Sequence, residues 1–278
     1  MIVWLASYPK SGNTYLRSFL STYFFSKDDS YSFDLLKNIG QYPKTSVFSR
    51  LGINIKDRHE VAKSHLKVQK KINDSKTLKF LKTHSSFVKM DGYSFTDLNN
   101  TLGVIYVVRD PRDVIISFSN HNDQPINKTL EMLNDNFVLD AEDENRVPVY
   151  MGSWSFHYNS WKPFKRVNKY ILVKYEDLIK NKEKTFKEIL YFLKNLANVN
   201  FKIDDKKIKK IIQEIEFEKL KKLEEKIGFP ESKETKQGKK IAFFRKGSSQ
   251  QWRNNLDLKI RKSIETSCEK EMKELGYL

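Results

Sequence analysis

Four short apolar runs punctuate the chain: Ile2–Ala6, Leu78–Leu81, Val104–Val108 and Tyr170–Val173. Each is rich in β-branched or aromatic residues and is closed by turn or charged residues. Runs that are apolar at every position, without the alternation of a half-exposed strand, predict strands of a parallel sheet covered on both faces. Helical patterns fall between them. Thr14 to Phe25 follows the first run, and Pro111 stands where a helix can begin after the third. Within 153–164, Trp154, Tyr158 and Trp161 are spaced by four and three residues, which puts three rings on one helix face. Asp177 is placed to cap the next helix, which runs to about Leu196. Strand and helix in alternation predict an α/β doubly wound fold.

Beyond residue 200 the pattern changes. From Lys202 to Lys226, nine Lys alternate with seven Asp or Glu, which reads as solvated helix faces laced with charge pairs. Phe229 to Gln251 is rich in Gly, Ser and Lys, so a long surface loop is expected, and loops of that length often carry function. Helical periodicity returns over Leu256–Leu275. No internal repeat or composition break divides the sequence, so a single domain over residues 1–278 is expected.

Composition narrows the classes. A hydrophobic fraction of 39% with 13% aromatics excludes a disordered polycation. Fifty-one Lys and Arg against 35 Asp and Glu give a net charge of +16, which calls for an anionic partner: nucleic acid, membrane surface or phosphorylated nucleotide. The one cysteine, Cys268, excludes an intrachain disulfide and points to a reducing, cytoplasmic compartment. No signal-peptide core is visible, and no apolar run approaches the roughly 18 residues that span a bilayer, so no membrane partner is expected.

Four local patterns carry candidate chemistry. Ser7-Tyr8-Pro9-Lys10-Ser11-Gly12-Asn13-Thr14 lies between a strand and a helix. A lysine, a glycine and hydroxyls at a helix N-terminus form an anion cradle, although capping residues also favour such a junction. It is not a Walker A loop, because its lysine precedes its only glycine. Arg109-Asp110-Pro111-Arg112-Asp113, followed by Ser117, sits at a strand's C-terminal end, where open α/β sheets bind ligands. Asp110 there also reads as a Walker B acid, which keeps a nucleotide-dependent kinase as an alternative. Lys82-Thr83-His84 ends another strand, and a histidine near its reference pKa can serve as a general base. Phe243-Phe244-Arg245-Lys246-Gly247 offers two cations and a free backbone N–H. No zinc-finger spacing, basic helix or RNA-binding motif supports the other alternative, a nucleic-acid binder.

Taken together, these segments resemble the PAPS-dependent sulfotransferases, which transfer a sulfuryl group from 3′-phosphoadenosine 5′-phosphosulfate (PAPS). YPKSGNTY, KTH, RDPRDVIIS, GSWSFHYNSW, KYEDL and FFRKG follow the family's order along most of the chain. The resemblance implies a P-loop-like three-layer α/β fold, with a central mainly parallel sheet flanked by helices. It also implies a catalytic set of His84, Lys10, Lys82 and Ser117. His84 would take the acceptor's proton, and Lys82 would steady the sulfuryl oxygens. Lys10 with Ser11, Gly12, Asn13 and Thr14 would hold the 5′-phosphate. Arg109, Ser117, Arg245, Lys246 and the Gly247 N–H would hold the 3′-phosphate, with Tyr175 at the nucleotide. Phe217 would stack on adenine, and Tyr15 stands where the family usually has tryptophan. The product would be 3′-phosphoadenosine 5′-phosphate (PAP), and no metal is implied.

Three departures bear on partners. Gln250-Gln251 replaces a usual Gly-Asp before Trp252. Ser85-Ser86 replaces Leu-Pro after the histidine, which implies a different acceptor pocket. The family's C-terminal dimer motif appears as Arg253, Leu256-Asp257-Leu258 and Lys262 with its terminal acid lost, so a monomer or a differently built dimer is expected. Residues 129–145 hold six acids (Glu131, Asp135, Asp140, Glu142, Asp143 and Glu144) and no Lys or Arg. They read as a solvated loop or as the lining for a polar or cationic small-molecule acceptor.

Overall fold

The first strand, β1 (Ile2–Ser7), is buried along its whole length, and its side chains divide between two apolar cores. Ile2, Trp4 and Ala6 join Tyr106, Trp154 and Trp161 on one face of the sheet. Val3 and Leu5 join Phe19, Leu20 and Phe186 on the other. With both faces covered, the period of two leaves no polar position, which explains the unbroken apolar run. The computed structural model describes residues 1–140, 145–235 and 237–278. β1 is central in a five-stranded sheet ordered β2 (Gly40–Gln41), β3 (Lys79–Thr83), β1, β4 (Thr101–Val108) and β5 (Tyr170–Lys174), with every pairing parallel.

Helices cover both faces. α1 (Asn13–Phe25), which leaves the first loop, packs with α5 (Lys182–Ala197) and α6 (Asp205–Glu214) on the Val3/Leu5 side. The opposite face takes α2 (Arg58–Asn73), α3 (Pro111–His121) and α4 (Trp154–Trp161). Phe19 and Phe186 stack at 3.7 Å between ring centroids, both fully buried. Phe19→Ala is therefore expected to cost about 3–5 kcal/mol of unfolding free energy, read from urea denaturation.

The predicted strands and aromatic helix form as expected, but three other expectations change. Asp177 does not cap the long helix. It lies inside a short helix, Tyr175–Lys180, and Asn181 breaks the chain before α5 begins. The 202–226 region forms α6 and α7 (Phe217–Ile227), whose ion pairs reach other elements: Lys207 to Asp29 at 3.0 Å, and Glu216 to Lys182 at 2.6 Å. Buried Ile208, Ile211 and Leu220 give these helices an inner face that the charge alternation hides. Residues 229–251 are more than a surface loop. Phe229 and Phe244 are buried against Phe33, and a small hairpin pairs Lys233–Glu234 with Lys240–Ile241. The Glu224 carboxylate on α7 accepts the Phe243 and Phe244 N–H groups at 2.7 and 2.9 Å, pinning the segment. Among the described residues, no helix is long and apolar enough to cross a membrane.

Candidate active site

Register brings the candidate residues together. Ala6 pairs with Thr83, Ser7 with Val107 and Val108 with Lys174, so β1, β3, β4 and β5 end side by side. The chain leaves those ends as Tyr8-Pro9-Lys10, His84, Arg109 and Tyr175. All four predicted polar groups therefore emerge at one edge of the sheet, where the dipoles and loops of an open α/β fold favour ligands.

The first loop is built for an anion. Lys10 adopts a left-handed backbone, φ 64, and Gly12 follows at φ 100. Left-handed lysine is uncommon, and such strain is held in place by surrounding contacts. The Lys10 carbonyl accepts Arg109 Nη1 at 3.2 Å, and its Nζ lies 3.9 Å over the Phe243 ring. No side chain caps α1 and no acid lies in its first turn, so the positive end of its dipole stays unneutralised. Buried Ser11 Oγ has no hydrogen-bond partner among the described residues. Asn13 fixes the loop from below, donating to the Leu5 carbonyl at 2.8 Å. Burial, with Lys82, Arg109 and Lys233 adding repulsion against a favourable Glu231, lowers the Lys10 pKa to about 7.

His84 is oriented by its neighbours. Its Nδ1–H donates to the Ser7 carbonyl at 2.7 Å, which leaves the lone pair on Nε2. The His84 carbonyl in turn accepts from His157 Nε2 at 3.1 Å, and Tyr106 donates its hydroxyl to His157 Nδ1 at 2.7 Å. Burial and then Lys82 push the His84 pKa well below its ordinary value, so the ring is neutral at pH 7 with a free lone pair on Nε2, though it is a weaker base than the histidine near its reference pKa that the sequence suggested. Lys82 is itself buried, with Nζ 3.0 Å from Glu231.

A second cluster gathers around Tyr175. Arg109 lies over its ring at 4.3 Å and donates to the Ser248 carbonyl at 3.0 Å, while Arg109 Nε stays buried without a partner among the described residues. The Tyr175 hydroxyl donates to the Gly247 carbonyl at 2.9 Å. A Cβ on Gly12 would meet Tyr175 at 2.4 Å, and one on Gly247 would meet Phe217 at 2.2 Å. Only glycine fits at either position. Tyr15 stands beside Phe186, its hydroxyl buried and unpartnered among the described residues. Ser117 is half-buried on α3, and Arg245 and Lys246 are exposed at the rim. Asp110 accepts from both the backbone and the guanidinium of Arg112, so its carboxylate is engaged as a helix cap. Gln250 takes φ 61, and its N–H and that of Trp252 donate to Asp113 at 2.7 and 3.0 Å. Those bonds fix the segment where the usual Gly-Asp is missing.

The sequence reading missed Arg17, His157 and Glu231 as parts of this site. Arg17 was the readable signal: the one charged side chain on an otherwise uncharged, mostly buried helix needs an acceptor. Glu142, Asp143 and Glu144 lie outside the described residues. Serines 85 and 86 are buried, and they border a cleft lined by Val61, Met90, Tyr93, Phe95 and Tyr150.

Fold and site define a P-loop-like α/β protein that gathers lysines, an arginine and a neutral histidine beside the uncapped N-terminus of α1. The chain belongs to the sulfotransferase family: the model described as "Sulfotransferase domain" matches residues 2–276. It is 24% identical to Sulfotransferase 1E1 of Bos taurus over 270 residues, covering 97% of this chain and 82% of that relative. A shorter stretch of 99 residues, 34% of this chain and 32% of the relative, is 36% identical to Sulfotransferase 2A6 of Mus musculus. Among solved structures, mouse sulfotransferase SULT7A1 complexed with PAP superposes with a TM-score of 0.60 at 18% identity, over 97% of this chain and 83% of that one. Retinol dehydratase in a complex with retinol and PAP gives 0.62 at 17% identity, over 98% and 81%. At those identities the likeness is one of fold.

Proposed function

We propose that this sulfotransferase takes its sulfuryl group from PAPS and delivers it in line to a hydroxyl or amine of a small-molecule acceptor, with His84 as general base. The observation that carries this reading is the convergence of Lys10, Lys82, His84 and Arg109 at adjoining strand ends. When bound, PAPS supplies the sulfuryl group together with an anionic leaving phosphate. The Ser11 hydroxyl and Arg109 Nε, both buried without a partner among the described residues, fit a ligand with two separate phosphates.

Lys10, with the backbone and hydroxyls of Ser11 to Thr14, holds the 5′-phosphate and neutralises the charge that develops on its leaving oxygen. Lys82 steadies the sulfuryl oxygens. His84 Nε2 removes the acceptor proton, its ring fixed through Nδ1 and the His157 contact. Arg109, Ser117, Arg245, Lys246 and the Gly247 N–H hold the 3′-phosphate, and Tyr175 closes that pocket from below. Phe217 and Tyr15 flank the adenine. The match over nearly the whole length supports a single domain, and the buried free thiol of Cys268 suits a cytoplasmic compartment; the protein acts as a monomer or as a dimer built without the usual C-terminal motif.

Titration calorimetry with PAP, with a chelator present, tests this reading. Tight PAP binding with no binding of ATP is expected, and the reverse preference would overturn it. The same experiment carries a pH prediction. Lys10 titrates near 7 in the free protein and must be charged beside a phosphate, so PAP binding takes up a proton once the pH passes that value. Affinity is expected to fall from pH 7 to pH 9, with proton uptake visible as a dependence of the heat on buffer ionisation enthalpy. Lys10→Met is expected to remove that uptake.

A further inference from the structure

Two buried cations end on one carboxylate. Glu231, in the segment after α7, accepts from Lys82 Nζ at 3.0 Å and also from the Arg17 guanidinium. Arg17 arrives from α1, where it donates as well to the Ile39 carbonyl at 3.0 Å. Lys82 arrives from β3, two residues before His84. One ionic triad therefore joins the anion-loop helix, the histidine strand and the segment that carries Phe243 and Gly247.

The chemistry of the triad is asymmetric. Lysine has a long flexible stem and three N–H donors, and it needs a fixed partner to hold one position. Here one donor is spent on Glu231, which leaves the others for a ligand. The groups around Lys82 are mostly cationic or basic: Arg17 on α1, Lys10 in the first loop, His84 on its own strand end, and His121 at the end of α3. Burial lowers the Lys82 pKa and Arg17 adds to the fall, whereas Glu231 opposes it. Burial acts to raise the Glu231 pKa, yet Lys82 and Arg17 outweigh it and hold the carboxyl at about 2. Glu231 is thus ionised throughout the working range, and it is the acid bonded to both cations.

We propose that Glu231 is the positioning residue for Lys82, fixing the ammonium group at the site of sulfuryl transfer and keeping it charged among its cationic neighbours. The proposal rests on the reading of Lys82 as the group that meets the sulfuryl oxygens. Glu231 itself acts only through the lysine.

The test is Glu231→Gln, which keeps shape and removes charge, assayed with PAPS after the parental protein has been shown to transfer. The expected result is a fall in kcat of about tenfold or more, with PAP affinity within about threefold of the parent. The alkaline limb of the kcat–pH profile should move to lower pH, because Lys82, and with it Lys10, then loses its proton more readily. In a Lys82→Met background the same change should cost nothing further, since the two residues act as one unit. Equal losses with and without Lys82, or an unmoved alkaline limb, would overturn the proposal. Should Glu231→Gln not fold, Glu231→Asp serves instead: a lower kcat with the parental alkaline limb is expected, and a shifted limb contradicts the role. A parental protein that binds PAP but transfers nothing from PAPS would instead defeat the underlying assignment, in an arm read before any variant.

Discussion

His84→Ala is expected to lower kcat by about 10²–10⁴-fold while leaving PAP affinity within about threefold of the parent. The split follows from geometry. Nδ1 is committed to the Ser7 carbonyl, so Nε2 is the nitrogen left to take a proton, and the nucleotide-side groups lie on other strand ends. Steady-state kinetics and calorimetry on the same preparation check it. A variant that loses PAP binding together with activity would place His84 in the nucleotide pocket and not at the acceptor. His84→Gln, which can still donate to Ser7 but has no basic nitrogen, should be as inactive as alanine.

Lys10→Met should have the second largest effect, about 10²–10³-fold in kcat, the range seen when one charge-stabilising donor is removed. Methionine keeps an apolar stem of similar length but removes the ammonium group, and with it the contact of Nζ over the Phe243 ring. PAP affinity should weaken as well, because the product still carries the 5′-phosphate that Lys10 faces. The joint loss of kcat and PAP affinity distinguishes Lys10 from His84, whose loss is confined to kcat. A variant that retains full PAP affinity would move Lys10 away from the phosphate.

Much of this site was legible because it is local. Lys10, His84, Arg109 and Tyr175 each come within four residues of the end of an apolar run, and a parallel sheet brings the ends of such runs together whatever lies between them. β2 was missed because two residues, Gly40 and Gln41, join the sheet edge through backbone pairing alone and carry no apolar signature. Asp177 was misread because nothing in the local pattern marks the break at Asn181. The ionic triad was hidden for a different reason. Arg17 and Glu231 are 214 residues apart, and a buried arginine announces that a partner exists without saying which. The 229–251 segment misled through composition, since buried Phe229 and Phe244 do the anchoring while Lys233, Lys239, Lys240 and Lys246 are exposed.

The net charge of +16 is likewise clearer once the fold is known. Lys10, Lys82 and Arg109 face one small volume, with Arg245 and Lys246 at its rim, and that concentration suits a nucleotide bearing two anionic ends. Several other lysines are taken up in ion pairs between a helix and a connecting segment, such as Lys207 with Asp29 and Lys182 with Glu216.

Acceptor-dependent release of PAP from PAPS, followed over a panel of phenols, alcohols and amines with a chelator present, tests the central claim most directly. The account predicts one PAP released per sulfated acceptor, with turnover abolished by His84→Ala. Release of PAP that needs no acceptor, or that persists undiminished without His84, would contradict it.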